Sequence, residues 1–276
     1  MEKESISKSS TWHLQSSPGQ FLPGTPFVLI AVALVALLQL PAHVLMKSVS
    51  MSLGVFLNET IVIAGLPLLL VILMGFDRSR LFSLTSPKAA TLILAILLSI
   101  PTALVIDYSV SASEFVFPLP QQYHDILDQL MAFAGAKEFF LKLFVLCVVP
   151  GFCEEIFFRG FCQTSFEARW GKTAAIFMTA VLFALLHGNP WYMHLYFLLG
   201  CYLSWVYAVS RTLWIPIVCH MMNNGWTFIN HARGIEYPLK SFSDTRDITL
   251  LLIGLIFSGT IALIFRRAAS RSLNAG

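Results

Sequence analysis

Apolar positions run along this chain in long stretches separated by short polar connections. A helix needs about 20 mostly apolar residues, at 1.5 Å rise each, to cross a hydrocarbon core about 30 Å thick. About eight segments approach that length. The segments 27–46, 56–76, 89–106, 191–209 and 248–265 are nearly free of charge, whereas 138–160, 173–188 and 213–230 carry Glu, Arg, His and Asn inside apolar surroundings. The pattern predicts an all-α, polytopic transmembrane helix bundle. Between spans, Tyr123, Ile126, Leu127, Leu130 and Met131 recur at helical spacing opposite His124, Asp125, Asp128 and Gln129. This predicts an additional amphipathic helix, either lying in the membrane interface or packed on the bundle.

Composition strengthens this reading. Of 276 residues, 57% are hydrophobic and 12% charged, about half the charge of an average globular protein. Water is therefore the wrong solvent for most of this surface, and the lipid bilayer is the expected partner. Residues 1–26, with their serines, prolines and mixed charge, read as a flexible N-terminal leader. Residues 27–276 read as one integral membrane domain, with its polar core at about 138–230. The run beginning at Phe27 lacks an A-x-A cleavage pattern and reads as a first span rather than a signal sequence. A net charge of +3, scattered along the chain, gives no nucleic-acid footprint. The five cysteines, Cys147, Cys153, Cys162, Cys201 and Cys219, fall in or beside apolar runs without C-x-x-C spacing, and read as packing residues.

Charge distribution sets the expected orientation. With a cytoplasmic N-terminus, the inner side takes Lys3, Lys8, Arg78, Arg80, Lys88, Arg159, Arg169, Lys172, Arg211, Arg266, Arg267 and Arg271. The outer side takes Lys47, Lys137, Arg233, Lys240 and Arg246. The excess places both termini in the cytoplasm, as in a multi-pass protein of a prokaryotic inner membrane.

An ionisable residue within a span costs about 2.5–3.5 kcal/mol on the mildest scale, so such residues find a partner, line a cavity, or both. The stretch Gly151–Gly160 holds three. Glu155 and Arg159 stand at i and i+4, acid before base, the favourable order for an ion pair. Glu154 points roughly 100° away and is left without a local partner. Two further spans carry Phe183 with His187, and His220 with Asn224, each pair four residues apart. A lone Glu at a membrane boundary or a lone packing His is unremarkable chemistry. A spare Glu, two His and an Asn on separate spans point to a site.

These residues resemble the motifs of the CPBP intramembrane proteases, which include CaaX prenyl endopeptidases and bacteriocin-processing or self-immunity proteins. The family pattern is E-E-x-x-x-R, F-x-x-x-H and H-x-x-x-N on successive helices. Here it is met by Glu154, Glu155 and Arg159, by Phe183 and His187, and by His220 and Asn224. The resemblance covers about residues 138–230. It implies a glutamic endopeptidase acting on membrane-associated peptides or proteins, with Glu154, His187, His220 and Asn224 catalytic and Glu155, Arg159 and Phe183 supporting the site.

The residue types permit that chemistry independently. Peptide hydrolysis needs a base for water and donors for the developing oxyanion. Glu154 suits the first task, with His187 orienting the water or the carboxylate, and His220 with Asn224 suits the second. The mechanistic rival is zinc held by Glu154, His187 and His220 with an open fourth position. No H-E-x-x-H pair preorganises two ligands on one helix, and the metal-free, cofactor-free reading is preferred. A non-catalytic partner-binding or immunity protein is the alternative function, and an ion-coupled transporter a third. Cys153 matches no motif position. His194 and His231 are expected at an interface, Asn58 and Glu59 at the solvated edge of the second span, and Pro150, Pro190 and Pro216 at kinks. Whether the substrate is prenylated, and the oligomeric state, stay open.

Overall fold

The structure is a computed structural model that describes residues 21–48, 50–234 and 245–273. Nearly all of the expected leader, and Lys240 of the outer charges, lie outside the described residues. All regular structure among those described is helical. The chain forms α1 (Thr25–Ser48), then α2 (Met51–Leu57) and α3 (Leu66–Met74) joined through a π-helical turn at Asn58–Gly65. A one-turn helix α4 (Arg78–Leu81) leads to α5 (Ala89–Val116) and the amphipathic α6 (Gln121–Met131). Next come α7 (Gly135–Leu143) and α8 (Val149–Glu155), separated by a π-turn at Phe144–Val148 and followed by another at Ile156–Gln163. The bundle closes with α9 (Thr164–Leu186), α10 (Met193–Ser210), α11 (Trp214–Ala232) and α12 (Thr245–Leu273).

Each segment expected to span is helical, and the protein is a membrane helix bundle. Among the described residues, Met51–Met74, Ala89–Val116, Met193–Ser210 and Ile248–Arg271 are long and apolar enough to cross a membrane, with Thr25–Pro41 a shorter apolar helix. The motif-bearing helices fall short of that measure because they carry the polar residues. Leu37, Leu73, Ile256 and Leu263 stand mostly exposed on outer faces, as side chains bathed in lipid would. α5 runs ten residues beyond the expected end at 106. Its extra turns are polar, but Ser109 and Ser111 donate back to the carbonyls of Val105 and Asp107, and the Leu119 amide donates to Glu114.

α9 packs on α10, α12 on α5, and α11 against both α5 and α8. Without a hydrophobic drive between helices in lipid, small residues at the contacts set how closely backbones approach. At Gly200 on α10, a Cβ would sit 3.0 Å from Cα of Ala180 on α9. At Gly151 on α8, it would meet Met221 of α11 at 2.6 Å. Between these contacts Phe157, Phe158, Phe161, Phe166 and Phe183 fill the core. Cys147, Cys153, Cys162 and Cys219 are buried there as free thiols and Cys201 is half-buried.

Pro150 and Pro216 lie inside motif helices, and Pro190 lies in the turn between α9 and α10. Pro216 sits in the first turn of α11, where no amide hydrogen is needed. Pro190 lies in the turn after α9, which ends at Gly188 with φ +63°. Pro150 and Pro67 each follow a π-turn directly, whose wider ladder accommodates a ring that would clash with the carbonyl four residues back.

One end of the bundle gathers basic residues. Arg211 makes a two-pronged pair with Glu167 at 2.9 and 2.6 Å, and Arg169 donates to the carbonyls of Ser165 and Leu22. Asp77 caps α4, and the Ser79 hydroxyl beside it, at 2.7 Å, holds its carboxyl below the usual range.

Candidate active site

Two neighbouring glutamates on α8, each with a buried and unpartnered Oε2, differ in what their other oxygen meets. Glu155 is fully buried, and its Oε1 accepts from Arg159 Nη1 at 2.7 Å and from His220 Nδ1 at 2.8 Å. Arg159, also fully buried, donates its other Nη to the Gly200 carbonyl at 3.2 Å and lies 4.8 Å from the Phe183 ring centroid. Gln163, four residues on, donates to the Ser204 carbonyl at 2.9 Å. Two side chains four residues apart thus grip two carbonyls four residues apart on α10. The close approach of Gly200 to α9 keeps this grip within reach.

The sequence expected Glu155 to be neutralised within its own helix. The pairing with Arg159 is present, but the same oxygen also holds His220. A carboxylate oxygen can only accept, so His220 Nδ1 carries the hydrogen and Nε2 faces the other way. Donation to an oxyanion then falls to Nε2, which bears a hydrogen in the imidazolium form.

His187 is fixed similarly. Its Nδ1 donates to the Phe183 carbonyl at 2.7 Å, one turn back at the end of α9, so its Nε2 is left as the free ring nitrogen. Its ring stacks on Tyr196 of α10 at 4.0 Å. Phe183 stands between the two imidazoles, 4.5 Å from His187 and 5.9 Å from His220. Asn224, one turn beyond His220, donates from Nδ2 to the Leu146 carbonyl at 3.3 Å. That carbonyl lies four residues before Pro150, which has no amide hydrogen to offer it. Proline and carboxamide are therefore one device on two helices, and the second N–H of Asn224 remains for another acceptor.

Glu154 makes no bond to any of these groups. Its Oε2 is buried without a hydrogen-bond partner, while His220, Glu155 and Arg159 act on it electrostatically. The structure thus brings Glu155, Arg159, Phe183, His187 and His220 into one contact network, sets Glu154 beside it, and ties Asn224 to the opposite strand of backbone. Among the described residues, no three His, Cys, Asp or Glu side chains converge closely enough to hold a metal ion.

One expectation is overturned. Asn58 and Glu59 do not sit at a solvated edge: they are 6% and 7% exposed, on the π-turn that packs against α8. Tyr196 was also invisible beforehand, being one of several aromatic residues on an apolar helix. His194 is exposed. His231 stands 3.9 Å from Asp128, in the wall of a cavity of about 890 Å³ that Asp107, His124, Tyr192 and Trp226 also line. α6 packs on the bundle through Tyr123, 4.7 Å from Trp191, and leaves Ile126 outward.

Residues 136–226, which contain all seven motif positions, match the family model described as type II CAAX prenyl endopeptidase Rce1-like. A protein of Bacillus subtilis (strain 168) named "Putative membrane peptidase YdiL" is 27% identical over 121 residues, 42% of this chain and 47% of that protein. The matched segment spans about half the length of that relative. No solved structure matches the chain. In the order of its motifs on separate helices, and over the whole extent that carries them, this core is similar to the CPBP-type membrane proteases.

Proposed function

We propose that the protein is a metal-free intramembrane endopeptidase that hydrolyses peptide bonds of membrane-associated substrates with water activated by Glu154. The observation that carries this reading is the buried Glu154, whose Oε2 has no partner and on which the oriented His220 acts electrostatically. Water gives one hydrogen to Glu154 as its oxygen bonds the scissile carbonyl carbon. Nε2 of His220 and the free N–H of Asn224 hold the developing oxyanion. The proton on Glu154 then passes to the leaving nitrogen as the C–N bond breaks, which restores the carboxylate. Nε2 of His187, fixed by Phe183 and Tyr196, orients the Glu154 carboxyl by accepting a hydrogen bond from it while it carries the proton.

Substrate approaches in this reading through the large cavity, whose Trp226 follows Asn224 by two residues on α11. The basic end of the bundle faces the cytoplasm with both termini, in a multi-pass arrangement in a prokaryotic inner membrane.

The test compares peptide termini in native-host membranes carrying wild type, Glu154→Ala or Cys153→Ala at matched levels. Defined products are expected to vanish with Glu154→Ala, persist with Cys153→Ala, and survive treatment of the membranes with a zinc chelator. Termini unchanged by Glu154→Ala would sink the proteolytic reading in favour of partner binding. Products lost to the chelator and restored by zinc would replace the metal-free mechanism.

A further inference from the structure

Among the buried polar atoms left without partners, two lie together on the second span, outside the three motifs. Glu59 and Asn58 are more than nine-tenths buried on the π-turn Asn58–Gly65. The hydrogen bond between them, from Asn58 Nδ2 to Glu59 Oε1, is long at 3.4 Å. Oε2 of Glu59 and Oδ1 of Asn58 are buried without partners. The π-turn packs against α8, which carries Glu154 with its own unpartnered Oε2. Among the charged groups that act on Glu154, Glu59 acts most strongly, ahead of His220, Glu155 and Arg159. Cys153 is acted on by both carboxyl groups. Two packed spans thus carry buried acceptor oxygens within electrostatic reach of one another, and among the described residues no donor meets them. Buried polar atoms left in that state mark a bound water, a ligand or a catalytic role.

A hydrolytic water has two hydrogens. If Glu154 takes one, the other needs an acceptor, because a water held at one hydrogen swings and does not aim its lone pair at the carbonyl carbon. We propose that Glu59 is a further catalytic residue of this site, accepting the second hydrogen of the water that Glu154 activates, while Asn58 sets the direction of its carboxyl group. This rests on Glu154 being the base. In the reaction the water oxygen forms the new C–O bond and one O–H bond breaks, its proton going to Glu154 and then to the leaving nitrogen. The O–H held by Glu59 stays intact and leaves in the new carboxylic acid. A carboxyl keeps an acceptor oxygen in either protonation form, so the role does not depend on which glutamate carries the charge.

Position and charge separate in the test. The initial rate at which Glu154-dependent termini appear is measured in native-host membranes for wild type, Glu154→Ala, Glu59→Met, Glu59→Gln and Glu59→Asp, with the melting temperature of each purified full-length protein. Glu59→Met removes every acceptor and is expected to lower the rate about 100-fold without lowering the melting temperature. Glu59→Gln, which keeps one acceptor oxygen, is expected to stay within about tenfold of wild type. Glu59→Asp keeps the charge but draws the carboxyl back by one methylene, and is expected to lose about tenfold. A folded Glu59→Met protein with wild-type rate overturns the inference while leaving Glu154 as the base. If Glu59→Met does not fold, a wild-type rate for Glu59→Asp overturns it. Termini that persist in Glu154→Ala remove both proposals together.

Discussion

Glu154 and Glu155 share a helix, a neighbourhood and a chemical type, and each keeps one buried oxygen without a partner, yet Glu155 accepts from an arginine and a histidine through its other oxygen while Glu154 accepts from neither. Around Glu155 the molecule has built a closed clamp: an arginine bonded also to a carbonyl of α10, a histidine from α11, and an aromatic face beneath the guanidinium. Around Glu154 it has left acceptors facing acceptors. An apolar interior penalises an unmet polar group far more than it rewards a met one. The clamp is what lets the bundle carry charge, and Glu154, without such a clamp, is where the proposed reaction would be kept at the expense of stability.

The largest expected effect comes from opening the clamp. Arg159→Met strands the Glu155 carboxylate and should cost about 3–5 kcal/mol, read as loss of accumulation in membranes or as a sharply lower melting temperature. Adding Glu155→Gln to the same chain removes the stranded charge and should recover part of that loss. An Arg159→Met protein as stable as wild type would dissolve the contrast between the two glutamates. The second effect runs the other way. Glu154→Gln should leave the melting temperature unchanged or higher, while lowering cleavage by about 100- to 10,000-fold, the usual worth of a general base. Loss of stability with activity retained would mean that Glu154 belongs to the scaffold.

A smaller contrast lies at the basic end, where the Arg211–Glu167 pair is partly exposed. Arg211 has φ +61°, a left-handed conformation that favours glycine. Arg211→Ala should cost about 0.2–1 kcal/mol for the lost pair, and Arg211→Gly should cost less because the backbone relaxes. Equal melting temperatures for the two variants would show that the backbone there stores no strain.

Much of this arrangement was legible from residue type alone. A glutamate, histidine or asparagine in an apolar run announces itself, and the spacing of Glu155 and Arg159 already implied their pairing. The fold class followed from the length of the apolar runs. Glu59 was misjudged for a definite reason. The apolar run begins near residue 56, which puts Glu59 at the boundary, but the helix begins at Met51, so Glu59 lies two turns inside it. Tyr196 and Gly200 left no mark because one more aromatic or small residue on an apolar helix is ordinary. The bond between Asn224 and the carbonyl released by Pro150 joins elements 78 residues apart, and local pattern does not carry that kind of information. His220 likewise shares Glu155 across 65 residues.

The π-turns also bear on how such a chain tolerates change in length. Each wide turn accommodates its extra width with about one more residue than an α-helical path would use. Deleting one residue between 58 and 65 would let the wide turn close to an α-helical one and leave both flanking stretches in register, whereas the same deletion in an α-helical stretch rotates everything beyond it by about 100°. The span would survive, and only the side chains on the turn itself, Asn58 and Glu59 among them, would change direction. Insertions and deletions, which ordinarily accumulate in loops, would thus be absorbed at these turns within a membrane helix.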